Sequence, residues 1–188
     1  MKERLKKIKL LLQLLRALPV LPGISWQDQR FVQDLHRWKE IQHMDSGDWL
    51  SFAQIMWGCP EFRNLFIYRN RHRVWYRWWI ALWYRPMESL YIQAKEIGGG
   101  LYIQHGFATM ISAESIGENC WINQQVTIGY NGHGKAPVIG NDVMITCGAK
   151  VLGEIHVGNR AVIGANAVVI RDVEADAVMG GVPARRLK

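Results

Sequence analysis

The sequence predicts a mainly β fold, a solenoid of short parallel strands wound in triangular rungs, preceded by a helical region. Three observations carry that expectation. Between Ile116 and Val173 an aliphatic residue returns every sixth position: Ile116, Ile122 and Ile128, then, after the interruption Gly129 to Val138, Ile139, Ile145, Val151, Val157, Ile163 and Val169. Four positions after each beat stands a second small or apolar residue: Cys120, Val126, Val143, Ala149, Ile155, Ala161, Ala167 and Val173. Before Pro86 this period is absent, and apolar residues fall at helical intervals instead. A period of six fits neither the 3.6 of a helix nor the 2 of a flat strand. It fits a coil in which each hexapeptide is one strand and one turn, with the beat residue inward and the small residue in the corner. Glycine often follows the beat, at Gly117, Gly129, Gly140, Gly158 and Gly164, where it is expected to supply the backbone angles of the turn.

These patterns divide the chain of 188 residues into a helical region, 1–86, and a coil, 87–188. The formal net charge is +7, with many of the basic residues in Met1 to Arg16 and Arg63 to Arg85. That distribution is compatible with solvated helix faces or with a phosphate-bearing, lipid or acidic glycan partner. Nucleic acid is not expected, because no recognised nucleic-acid fold accompanies the basic residues. Cys59, Cys120 and Cys147 are widely spaced, without a zinc-like pairing, and read as reduced thiols of a cytoplasmic protein; no metal is expected.

Lys2 to Leu21 has a basic start and a leucine-rich middle, but Gln13 and Arg16 break the apolar run, and Pro19 and Pro22 follow without a small-residue cleavage site. It is too short to span a bilayer and reads as an amphipathic helix, packed on the protein or lying peripherally on the inner face of the cytoplasmic membrane. Trp26 to Met44 predicts a second helix through Phe31, Leu35, Trp38 and Ile41, and Asp48 is placed to cap a third through Phe52 and Ile55. A further helix is expected from Glu61 to about Tyr84, interleaving arginines with Trp75, Trp78, Trp79 and Trp83. In the coil, Ile97 and Ile103 are six apart, Ile103 to Met110 seven, and Met110 to Ile116 six. The rung with the extra residue contains His105, and an irregularity in a strict repeat is where function is expected.

The segments GGGLYIQHGFATMI, INQQVTIG, GAKVLG and GGVPAR, in this order, resemble the serine acetyltransferase branch of the hexapeptide-repeat acyltransferases over roughly residues 60 to 188. The resemblance implies a left-handed parallel β-helix, acetyl-coenzyme A as co-substrate, and a homotrimer with active sites between subunits. It implies His105 as general base, which chemistry supports: an alcohol attacks a thioester slowly until a neutral imidazole takes its proton. The carboxylate that relatives use to orient that ring falls at Leu90 here, leaving Glu88 and Glu114 as candidates. Coenzyme A is expected along Thr146, Gly148, Ala149, Lys150, Gly164 and Ala165, with Arg185 and Arg186 toward phosphate. Gln104 stands where the family has Asp, and Lys135 and Ala136 stand where it has an Arg-His pair. A free amino acid needs a carboxylate for its ammonium and a cation for its carboxylate. The expected acceptor is therefore a sugar hydroxyl of a bacterial surface polysaccharide or its precursor, with Gln104, His133 and Lys135 as contacts. The alternatives are serine O-acetylation and a non-catalytic solenoid.

Overall fold

The computed structural model describes residues 2–132 and 134–188, in two compact units, Met1–Met87 and Glu88–Lys188. The first unit is helical: α1 (Lys2–Ala17), a 3₁₀ turn (Leu18–Gly23), α2 (Gln29–Ile41), α3 (Asp48–Gly58), α4 (Pro60–Arg69) and α5 (Val74–Trp83). Asp28 caps α2 by accepting the Arg30 N–H at 3.0 Å, and α2 then turns Phe31, Leu35 and Trp38 inward at helical spacing. They meet Phe52, Phe62 and Phe66 in an aromatic core with edge-to-face contacts, Trp38–Phe62 and Phe52–Phe66 both at 5.2 Å. Buried in the same unit, Arg69 forks onto Asp34 with Nε and Nη2 at 2.7 and 3.1 Å from the two carboxylate oxygens.

Two helical expectations are corrected. The helix expected from Glu61 to Tyr84 is two helices, because Asn70 turns its side-chain amide back to the Phe66 carbonyl at 3.0 Å and the chain bends through Arg73 before α5 begins. Asp48 lies inside α3, with Gly47 at the cap. Its carboxylate takes Lys39 Nζ at 2.5 Å and His36 Nε2 at 3.1 Å, contacts that hold it below its ordinary acidity range.

The second unit is a parallel β-solenoid with three faces. The first carries β1 (Leu90–Ile92), β4 (Thr109–Ile111), β7 (Thr127–Gly129), β10 (Lys150–Leu152) and β13 (Val168–Val169). The second carries β2 (Glu96–Ile97), β5 (Ser115–Ile116), β8 (Val138–Ile139) and β11 (His156–Val157). The third carries β3 (Tyr102–Ile103), β6 (Trp121–Ile122), β9 (Met144–Ile145), β12 (Val162–Ile163) and β14 (Val178–Gly180), where β15 (Arg185–Arg186) adds antiparallel. Beat residues stack in register, Ile97 on Ile116 on Ile139 on Val157 and Ile103 on Ile122 on Ile145 on Ile163, all buried. The residues four positions later are buried as well, so the coil interior is the one the period describes. The chain turns from first to second face at a first edge, from second to third at a second edge, and from third to first at a third edge.

Two details depart from expectation. The inward residue on the first face is Ile111, fully buried under Ile128, while Met110 is 41% exposed. The interval from Ile103 is thus eight residues, followed by five to Ile116. Nor does glycine after the beat supply a left-handed backbone: those angles fall two positions later, at Asn119, Gln125, Asp142, Arg160 and Asn166. What Gly117 supplies is room, since a Cβ there would lie 2.6 Å from the Gly140 carbonyl carbon in the next rung.

Candidate functional site

The third edge gathers most of the residues singled out from the sequence. Its successive turns are 104–108, 123–126, 146–149 and 164–167, so Gln104 and His105 share one column with Thr146, Gly148, Gly164 and Ala165. At about 4.8 Å per rung, the His105 turn and the Ala165 turn stand about 14 Å apart along the edge. One chain thus carries the imidazole and these small turn residues along a single edge.

The His105 turn is the irregular one. His105 and Ala108 have φ of 55° and 51°, a left-handed conformation that costs of order 1–3 kcal/mol when a non-glycine residue holds it. The strain is held from below and above. The Phe107 N–H donates to the His105 carbonyl, Gln125 N–H donates to the Phe107 carbonyl at 3.0 Å, and the buried Thr109 hydroxyl donates to the Phe107 carbonyl at 3.2 Å. The backbone is pinned while the imidazole stands exposed, with no hydrogen-bond or ion-pair partner among the described residues. Beside it, Gln104 Oε1 accepts from Asn123 Nδ2 at 3.2 Å, an uncharged amide pair bridging two rungs. Gln124 Oε1, on the same edge, is shielded from water with no partner among the described residues. Asn123 and Gln124 fall inside the segment INQQVTIG, but no sequence signal singles either of them out.

The second and third edges differ in how they treat their backbone donors. On the second edge Asn141 Oδ1 accepts the Glu118 N–H and Asn159 Oδ1 accepts the Asn141 N–H, each at 2.8 Å, a ladder that closes the turn amides. The equivalent positions on the third edge are Gln124, Cys147 and Ala165, and their N–H groups meet no protein acceptor among the described residues. A column of outward, unpaired amides beside an unpaired imidazole suits an oxyanion or a ligand's carbonyl oxygens.

The other expected coenzyme contacts divide. Thr146 gives its hydroxyl proton to the Ile163 carbonyl at 2.7 Å, and Gly148 takes a φ of +73°. Lys150 reaches back over the edge to the Gln125 carbonyl at 2.6 Å, which leaves its ammonium on the ligand side. Ala149 is 0% exposed, so its side chain fills the coil and reaches no ligand. Arg185 lines a small hollow of about 60 Å³ with Pro183 and Ala184, and its guanidinium has no partner among the described residues. Arg186 is instead held by Glu174 and the Lys188 carbonyl. Small turns, outward amides and one unpaired guanidinium at the coil end therefore fit coenzyme A, without Ala149 and with Arg186 already engaged.

Of the two candidate carboxylates, Glu88 enters β1 on the third edge, one rung before His105, as the Thr109 N–H to Ser89 carbonyl bond at 3.0 Å fixes. Glu114 is on the first edge, bound to Lys95 Nζ at 2.6 Å; that hydrogen bond lowers the acidity range of Glu114 and raises that of Lys95. The structure does not bring Glu114 to His105. Lys135 is also on the first edge, 3.8 Å from Glu154, and His133 lies outside the described residues. Among the described residues, no three His, Cys, Asp or Glu side chains cluster as metal ligands, and no helix is long and apolar enough to cross a membrane.

Residues 136–171 match the bacterial transferase hexapeptide (six repeats) family. A serine acetyltransferase of Synechococcus elongatus is 43% identical over 93 residues, 47% of this chain and 38% of that protein. The chain spans less than half the length of the curated relatives it matches first. The solved serine acetyltransferase of Neisseria gonorrhoeae, in complex with serine, has a TM-score of 0.65 at 25% identity, covering 88% of this chain and 71% of its own. A serine acetyltransferase in complex with CoA has a TM-score of 0.57 at 26% identity, covering 82% and 67%. These likenesses overturn the expected polysaccharide acceptor. Of the arginines interleaved with tryptophans in the helical unit, Arg69 is buried on Asp34 and Arg73 holds the Pro22 carbonyl at 2.8 Å. Repeat, parallel coil and relatives point the same way: residues 136–171 match the hexapeptide transferase family, and the chain is similar in sequence and fold to serine acetyltransferases.

Proposed function

We propose that this chain transfers the acetyl group of acetyl-coenzyme A to the side-chain hydroxyl of serine. The observation that carries this reading is the third edge itself, where an exposed imidazole, an amide pair and a column of unpaired backbone donors stand in one line. His105 accepts the hydroxyl proton as the serine oxygen bonds to the thioester carbonyl carbon. Outward N–H groups of the edge take the charge that develops on the carbonyl oxygen. As the carbon–sulfur bond breaks, the imidazolium returns its proton to the departing thiolate. Gly148, Gly164 and Ala165 let the coenzyme lie close to the backbone, and Lys150 and Arg185 offset its phosphates.

The working assembly in this reading is a homotrimer. Flat solenoid faces support it, and so does an imidazole left without an orienting partner among its own chain's described residues, since a neighbour's edge would then complete the site. The test is thiol release from acetyl-coenzyme A with L-serine as acceptor. The His105→Ala variant is expected to lower kcat/KM by about 10²–10⁴, the usual share of a general base. No serine-dependent release, or an unchanged His105→Ala rate, would remove the proposal.

A further inference from the structure

The helical unit carries a second surface, independent of the acetyl-transfer reading. We propose that α1, the 3₁₀ turn and α5 together form a face that lies on an anionic lipid bilayer. The packed side of α1 is Leu10, Gln13, Leu14 and Ala17, with Gln13 and Ala17 buried. At about 100° per residue the opposite side is Leu5, Ile8, Leu12 and Leu15, a complete apolar stripe facing solvent. On α5 the inward residues are Tyr76 and Ile80, and the outward ones include Trp75, Trp78 and Leu82, which are 89%, 75% and 75% exposed. The two faces meet at the turn: Trp79 Nε1 donates to the Pro19 carbonyl at 2.7 Å, the Tyr76 hydroxyl to the Val20 carbonyl, and the Arg16 guanidinium to the Trp83 carbonyl at 2.7 Å. Exposed Leu18 and Leu21 continue the apolar surface between them.

Charge selects the occupant. Residues 1–87 hold 15 Lys and Arg against 7 Asp and Glu, whereas residues 88–188 hold 8 against 9. Arg4 and Lys9 flank the apolar stripe of α1, Lys2, Lys6 and Lys7 stand exposed around the rest of its first turns, and Arg73 and Arg77 accompany the tryptophans of α5. A second copy of the same face would set these cations against their like. Nucleic acid would use the cations but leave the leucines without partners. An acidic bilayer satisfies both, with leucines and tryptophans at the headgroup boundary and lysines on the phosphates. α1 is 16 residues, about 24 Å, so it lies along the surface.

The experiment is sedimentation of the full chain with vesicles of phosphatidylcholine alone or mixed equally with phosphatidylglycerol. Binding to the anionic vesicles alone, weakened by salt, is expected. The Ile8→Ser/Leu12→Ser/Trp78→Ser variant should lose about tenfold or more in vesicle affinity, and Lys6→Glu/Lys7→Glu/Lys9→Glu should do the same through charge alone. Far-ultraviolet circular dichroism of both variants checks that the helices remain; the charge variant alters only exposed side chains. Absence of binding to the anionic vesicles overturns the proposal, as does equal binding to phosphatidylcholine alone. A concentration-dependent gain in mass that the Trp78→Ser change abolishes, without vesicle binding, would assign the face to self-association. Retention of a polynucleotide in place of vesicles would assign it to nucleic acid.

Discussion

Gly117 and Gly129 hold the same place in the hexapeptide, one position after a beat, yet their surroundings differ. A Cβ on Gly117 would press on the Gly140 backbone at 2.6 Å, whereas nothing lies within 4 Å of one on Gly129. Gly117→Ala is therefore expected to destabilise by about 1–3 kcal/mol through overpacking against a rung that cannot yield. Gly129→Ala should be neutral or slightly stabilising, and thermal unfolding of the pair distinguishes them. The hexapeptide rule marks both glycines alike, because it records position and not what the next rung presents. Lys95 and Glu114 offer a second residue-scale test. The lowered Glu114 acidity range means its contribution is complete above the ordinary carboxylate value of about 4.3 and lost as pH falls through the folded value. The raised Lys95 range means the cation's share is complete below about 10.4 and lost as pH rises through its folded value. Lys95→Gln should lower the melting temperature at pH 7 and leave it unchanged at strongly acid pH.

Between single residues and the whole chain, the proposed acetyl transfer assigns the work to one edge of the solenoid. The second edge closes its amides with Asn141 and Asn159; the third, with Cys147 and Ala165 in the same register, leaves them open. Cys147→Asn should place a side-chain oxygen against the Gln124 N–H, as Asn141 does for Glu118. Stability is then expected to rise by about 1 kcal/mol, one net hydrogen bond, while kcat/KM for acetyl-coenzyme A falls. Denaturant unfolding and thiol release measure the two sides; a rise in stability with undiminished activity would deny the open amides a role. This contrast is written in the sequence as IGND and VGNR against ITCG and IGAN. It acquires meaning only once the edge to which each turn belongs is known. The same holds for Glu88 and Glu114: both are acidic residues near His105 in sequence, and the coil sends one to the third edge and the other to the first.

Across the whole molecule, each unit has its own core, aromatic in the helices and aliphatic in the coil. Asp34→Ala would remove the carboxylate that Arg69 forks onto inside the helical unit, a loss of about 3–5 kcal/mol. Asp34 and Gly117 belong to different compact units, so the Asp34→Ala/Gly117→Ala double variant should equal the sum of the single changes to within about 0.5 kcal/mol. Chemical denaturation with all three variants tests that independence. The sequence by itself determined the triangular coil and most of its inward residues, because a six-residue period satisfies burial in one way only, and it marked the rung that holds His105 as irregular. Its ordered motifs also carried the resemblance to serine acetyltransferases. Tertiary structure decided what a period cannot express: that Ile111 and not Met110 turns inward, that Asn70 breaks the long helix, and that Ala149 and Arg186 are already engaged. It decided as well which edge remains open. Asn70 and Arg186 are settled by shorter contacts, to Phe66 and to Glu174 and Lys188; the inward residues and the open edge depend on rungs 18 or more residues apart, where neighbouring backbone compels room, strain or pairing, and local sequence carries no record of that neighbour.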